Sequence, residues 1–149
     1  GKIVEMDANY FRESWESCCF GGFLFAREVI KTFLLEKTAG TLIFTGASAS
    51  LRGKSNFGAF NSAKGALRNL AQALAKEYAE NSIHVSHVIV DGGLAGERIK
   101  QRLSDFEERV KEGKLINIEN VTDAYMFLYN QSKDAWTFEL DVRTSQENW

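Results

Sequence analysis

Apolar residues recur along this chain with two periods, and the switches between them lay out its elements. After Asp7, a residue type suited to a helix N-cap, Phe11, Trp15, Cys18, Cys19, Gly22, Phe23, Ala26, Ile30, Phe33 and Leu34 follow at spacings of three and four. That is the period of one helix face. It predicts a long helix over 8–38 that stops at Ala39 and Gly40, with Lys37 in the last turn, where the helix dipole favours a cation. Gly21 and Gly22 interrupt it. They mark either a kink or a close approach of another helix, and the continuing apolar stripe favours the approach. Residues 41–45 form a continuous apolar run, the mark of a buried parallel strand. A Ser-, Ala- and Gly-rich loop covers 47–56, and a helix rich in small residues covers 57–80. Residues 83–90 read as a strand closed by the turn Asp91-Gly92-Gly93. A charged helix is predicted over 97–112, another over 117–130 with Asn117 as N-cap, and a last alternating strand over 135–142. Helices and strands that alternate in this way imply an α/β fold with a parallel sheet and right-handed crossovers.

Composition narrows the class. The chain has 149 residues, 44% hydrophobic and 26% charged, and no proline. About seven prolines would be ordinary at this length. These figures exclude disorder and proline-rich linkers and suit one domain. A net charge of −2 offers no electrostatic footprint for nucleic acid. No apolar run is long enough to span a membrane, and no signal region opens the chain. Cys18 and Cys19 are adjacent, which gives no bridge and no metal-ligand spacing. They belong to the apolar helix face or, alternatively, to a redox site. His84 and His87 lie an odd number apart on a strand and point to opposite faces, so they cannot jointly hold a metal there. The expectation is a soluble, cytoplasmic protein without a metal site.

One stretch is more specific. The strand at 42–45, the small-residue loop, and Phe60-Asn61-Ser62-Ala63-Lys64-Gly65-Ala66-Leu67 at a helix start come first. Leu74-Ala75-Lys76-Glu77, Ile83-His84-Val85 and the Asp91-Gly92 turn follow. Together they resemble the C-terminal part of a short-chain dehydrogenase/reductase. The resemblance covers essentially the whole chain and implies a partial Rossmann-type, doubly wound parallel sheet, with residues 1–149 forming one domain. The family's nucleotide fingerprint, Thr-Gly-x-x-x-Gly-x-Gly, is absent. Thr45-Gly46 follows a strand, but Ser50 and Arg52 stand where the later glycines would be needed for the backbone to approach a pyrophosphate. The expectation is therefore that the N-terminal nucleotide-binding half lies outside this sequence. NAD or NADP would be bound by a longer parent chain and poorly by this chain alone.

The resemblance also implies a catalytic set, only part of which is present. The family uses a Tyr-x-x-x-Lys pair, a serine thirteen residues before the tyrosine, and an asparagine in the preceding helix. Lys64 matches the lysine, which lowers the tyrosine pKa and holds the nicotinamide ribose. Phe60 stands at the tyrosine position, Ala47 at the serine position and Cys18 at the asparagine position. Ser48 or Ser50 could replace the serine after a shift of the loop. In the turn that contacts the cofactor, Gly92 and Leu94 fit, Asp91 replaces a proline, and Gly96 replaces a threonine. The cofactor-binding candidates are thus Lys64, Asp91, Gly92 and Leu94. Spacing alone leaves Lys64 open as a solvated lysine, and the charged run from Glu97 to Arg102 open as a solvated face or a substrate lid. Tyr129 and Lys133 also match Tyr-x-x-x-Lys, but Ile116 occupies the serine spacing, so that match is read as chance.

Two functions follow as expectations. One is an NAD(P)-dependent oxidoreductase with a degenerate active site and weak conventional carbonyl chemistry. The other is a non-catalytic subunit that pairs with itself or with a related subunit. Pairing would run through the helices near 8–38 and 57–80, packed closely at Gly21, Gly22, Gly58, Ala63, Ala66 and Ala73.

Overall fold

The computed structural model describes residues 1–147. Three parallel strands form one sheet in the order β1 (Gly40–Ala47), β2 (Ile83–Asp91) and β3 (Glu139–Arg143). β1 pairs with β2 from Gly40 against Ile83 to Ala47 against Val90. β3 pairs only with the second half of β2, from His87 against Glu139 to Asp91 against Arg143. The central strand β2 is buried along nearly its whole length, as a strand covered on both faces must be.

The helices are α1 (Ala8–Trp15), α2 (Gly21–Glu36), α3 (Gly58–Tyr78), α4 (Glu97–Lys100), α5 (Phe106–Lys111) and α6 (Ile118–Tyr129). α2 and α3 send Ala26, Ile30, Leu67 and Ala71 against Leu42 and Phe44 of β1 and Ile83 and Val85 of β2, and this is the main core. Gly22 is where the helices come close. A Cβ there would lie 2.8 Å from Leu67 Cδ1 and 3.5 Å from the Phe44 ring. Close approach, rather than a kink, explains this glycine. Gly58 faces Ile3, and Ala63 is buried in the chain's own interior. Gly22, Gly58 and Ala63 therefore serve packing within the chain, while Ala73 is exposed.

Three predicted elements change. The long helix over 8–38 is two α-helices joined by a π-helical turn over Glu16–Phe20, and it ends at Glu36, with Lys37 in the left-handed region at φ 53°. Spacings of three and four do not register the extra residue that a π turn inserts. The helix over 97–112 is split into α4 and α5. Ser104 and Asp105 fall at the break, residue types that compete with the helical backbone for hydrogen bonds, and Asp105 binds Arg109 Nε at 2.8 Å. The strand over 135–142 begins only at Glu139. Upstream of it, Thr137 gives its N–H to Gln131 Oε1 at 2.9 Å and its carbonyl to Ser86 Oγ at 2.7 Å, so side chains replace the ladder. Asn117 caps α6 as expected, accepting the Asn120 N–H at 3.1 Å. No helix among the described residues is long and apolar enough to cross a membrane.

Candidate active site

Helical spacing places Phe60 and Lys64 one turn apart on the same face of α3. Lys64 is half-buried and donates from Nζ to the Thr45 carbonyl at 2.8 Å, while its ammonium stands 6.0 Å from the Phe60 ring centroid. It is therefore anchored to the end of β1 and is not a free surface lysine. Phe60 is 44% exposed. It lines a cavity of about 470 Å³ together with Ser48, Arg52, Lys54, Phe57 and Asp91. Ser48 opens a one-turn 3-10 helix (Ser48–Ser50) directly after Ala47. The structure thus brings Phe60, Lys64, Ala47 and Ser48 to one end of β1.

Ser50, the other candidate hydroxyl, belongs elsewhere. It is buried, and its Oγ accepts the Ala47 N–H at 3.2 Å and lies 3.4 Å from His87 Nε2. His87 Nδ1 lies 2.9 Å from Glu139 Oε2, and Arg68 binds the same carboxylate in a fork at 2.6 and 2.8 Å. Gly46 makes this possible, because a Cβ there would sit 2.2 Å from His87 Nε2. Burial holds the His87 imidazole below its ordinary pKa, outweighing the opposing pull of Glu139. The Arg68 hydrogen bonds hold the Glu139 carboxyl below the usual carboxylate range, against its own burial. The neutral His87 with its Nδ1 proton directed at Glu139 satisfies both rings of contacts. Sequence reasoning assigned none of this. Arg68 and Glu139 are 71 residues apart, and nothing local in the chain signals their pairing.

The turn after β2 divides its expected roles. Gly92 adopts φ +148°, a left-handed backbone that favours glycine. The Asp91 carboxylate is buried and lies 3.4 Å from Arg52 and 3.5 Å from Arg143, so salt bridges occupy its side chain. Leu94 bridges to Ile116 and lines an apolar groove of about 490 Å³ with Thr45, Val90, Val121 and Tyr125. There the Tyr125 hydroxyl meets Thr45 Oγ1 at 2.6 Å, a second contact absent from the sequence reading. Lys64, Gly92 and Leu94 therefore gather at the C-terminal ends of β1 and β2, where ligands bind in open α/β sheets.

The remaining candidates lie away from this end. Cys18 sits in the π turn and packs against the core, and burial pushes the neighbouring Cys19 thiol up. His84 faces away from His87, with Nε2 2.8 Å from Ser86 Oγ and its ring stacked on Trp136 at 4.8 Å. Tyr129 is exposed at the end of α6, and Lys133 donates to Ser82 Oγ at 2.8 Å, just before β2 begins. Among the described residues, no group of three or more His, Cys, Asp or Glu side chains could hold a metal ion.

A family model described as enoyl-(acyl carrier protein) reductase matches residues 1–139. The chain is 30% identical over 86 residues to 2-dehydro-3-deoxy-D-gluconate 5-dehydrogenase of Formosa agariphila, which covers 58% of this chain and 32% of that protein. It is 37% identical to a short-chain dehydrogenase from Rhodopseudomonas palustris, with a TM-score of 0.74, over 96% of this chain and 56% of that one. An alcohol dehydrogenase from the archaeon Thermococcus sibiricus, complexed with 5-hydroxy-NADP, shares the fold at a TM-score of 0.79 and 16% identity, over 99% of this chain and 59% of that one. The chain thus spans about a third of the curated relative and somewhat over half of the solved ones.

Proposed function

The chain belongs to the short-chain dehydrogenase/reductase family, and on that premise we propose that it is an atypical, NAD(P)-dependent member whose proton-transfer pair is reduced to Lys64. The observation that carries this reading is the Phe60 ring, one helical turn from Lys64 and open to the cavity beside Ser48. A phenyl ring has no hydroxyl and can neither give nor take the proton that carbonyl reduction requires. Ala47 likewise offers a methyl group where the resemblance expects a carbonyl-polarising hydroxyl.

The residues present suit the nicotinamide-ribose end of a cofactor. Lys64 would hold the ribose, and the backbone at Gly92 and Leu94 would border the ring. When bound, the nicotinamide supplies or accepts the hydride. The chain's own part is to orient the carbonyl and deliver a proton, from water or from Ser48 in place of the missing phenol. General acid catalysis contributes about 10²–10⁴-fold, so carbonyl turnover should be slow. The test is oxidation of NADPH against a panel of small ketones in the intact protein, beside the double variant Phe60→Tyr with Ala47→Ser. The variant should be at least about 100-fold faster. Native turnover near the usual enzyme rate of about 10 s⁻¹ would overturn the reading.

A second reading, a non-catalytic partner subunit, is favoured by α2, which exposes Phe23, Leu24, Phe25, Leu34 and Leu35. The groove between α2 and α3, lined by Phe23, Ile30, Leu34, Leu70 and Leu74, is of the kind that helix pairs fill. Sedimentation at micromolar concentration should then give at least a dimer, and a monomer would remove this reading.

A further inference from the structure

We propose that the cavity over Phe60 takes a small hydroxy- or oxo-acid, held by its single carboxylate between Arg52 and Lys54. This rests on the reading of that cavity as the reaction site and goes on to name the substrate class.

The cavity mixes charge with two rings. Arg52 and Lys54 line it together with Asp91, Glu147, Phe57 and Phe60. Arg52 is fixed in place, because its Nη2 reaches both oxygens of Asp91, at 3.4 and 3.5 Å. That carboxylate is only 5% exposed and is shared with Arg143. Asn61 Nδ2 holds the Arg52 carbonyl at 2.8 Å and so pins the backbone as well. Among the described residues, the Nε and Nη1 donors of Arg52 have no hydrogen-bond partner. A guanidinium held at one nitrogen keeps an edge of its fork for a second planar carboxylate. Lys54 Nζ stands 5.4 Å from the Phe57 ring centroid and has no ion-pair partner among the described residues. It supplies a second cation on the same wall.

The acidic groups limit the ligand's charge. Asp91 and Glu147 face the same space, so a dianion such as a phosphate monoester would gain two cations but meet two carboxylates. A single carboxylate avoids most of that repulsion. Hydroxyl groups further along the ligand can donate to the remaining carboxylate lone pairs and to Ser48. A long alkyl chain would strip water from four charged groups without replacing their hydrogen bonds. A volume of about 470 Å³ lies within the range of small-molecule sites.

The probes are D-galactonate, its neutral counterpart galactitol, and inorganic phosphate, titrated into the intact protein by calorimetry and by chemical-shift changes around residues 52–61. Galactonate should bind at least about tenfold more tightly than galactitol and more tightly than phosphate. Arg52→Met should weaken galactonate at least about tenfold. Because that variant also exposes Asp91, Lys54→Met, which breaks no ion pair among the described residues, serves as the independent variant and should weaken it about threefold. Equal binding of galactitol, tighter binding of phosphate, an unchanged Lys54→Met, or no saturation by galactonate each overturns the proposal. These titrations read binding without turnover, so they can fail while the Phe60 reading stands, and the ketone assay can fail while galactonate still binds.

Discussion

Around His87, each ring nitrogen has a partner: Ser50 on one side, and Glu139 with its Arg68 fork on the other. Around Phe60, at the same end of β1, a ring and the Ala47 methyl stand where the family resemblance expects hydroxyls. His87 and Ser50 are buried, His87 fully, with Arg68 and Glu139 half-buried beside them, whereas the second constellation opens on a cavity with Phe60 44% exposed. The difference lies in desolvation. A buried polar group that loses its partner is left with an unmet hydrogen bond at a cost of about 1–3 kcal/mol. An exposed position gives up a hydroxyl to water at almost no cost to the fold. A hydroxyl can therefore be absent from the cavity at little cost to the fold, while the buried network below must keep its partners.

The strongest challenge to this comparison is Gly46→Val. The new Cβ would meet His87 Nε2 and Ser50 Oγ, at 2.2 and 2.9 Å, and both side chains are buried. Chemical denaturation should show a loss of about 3 kcal/mol. A loss under about 1 kcal/mol would mean that the buried network is soft.

Acid should act next, and on the same network. Burial keeps His87 neutral in the folded state, whereas the unfolded chain takes up a proton near its ordinary pKa of about 6.5. Stability is therefore full above that pH and falls as pH drops below it. Glu139, lowered chiefly by Arg68, adds a second loss as pH falls through the ordinary carboxylate range toward its depressed folded value. Each group can contribute a slope of at most about 1.4 kcal/mol per pH unit. Urea midpoints measured between pH 7 and 5 should decline, and His87→Gln should flatten that upper limb. A native protein with a flat profile across that interval would contradict the assignment.

The smallest expected effect lies on the other side of the comparison. Phe60→Tyr adds one hydroxyl at an open surface and should leave the thermal midpoint within the change expected of about 0.5 kcal/mol. A large shift either way would show that the ring is structural and that its exposure misrepresents its role.

Much of the fold was legible in the chain. Period and capping placed β1, β2, α3 and α6, and Asn117 caps where it was expected. The elements that moved are those whose limits are set by other segments. β3 starts late because Gln131 and Ser86 hold Thr137, and the π turn adds a residue that apolar spacing cannot count. At the site, the helical spacing of Phe60 and Lys64 was readable, because one turn of helix is a local fact. The burial of Ser50 was not, because it depends on a histidine 37 residues away.

By itself, then, the sequence determined which side chains stand at the end of β1: a lysine one helical turn from a phenylalanine, and a methyl group at Ala47. Those are properties of residue identity at local spacing, and no packing can alter them. Only the tertiary structure decided where charge is confined. It joined Arg68, His87 and Glu139 beneath Gly46 and set Arg52 on the buried Asp91, because such pairings arise where distant segments exclude water together. That exclusion is what gives them their strength.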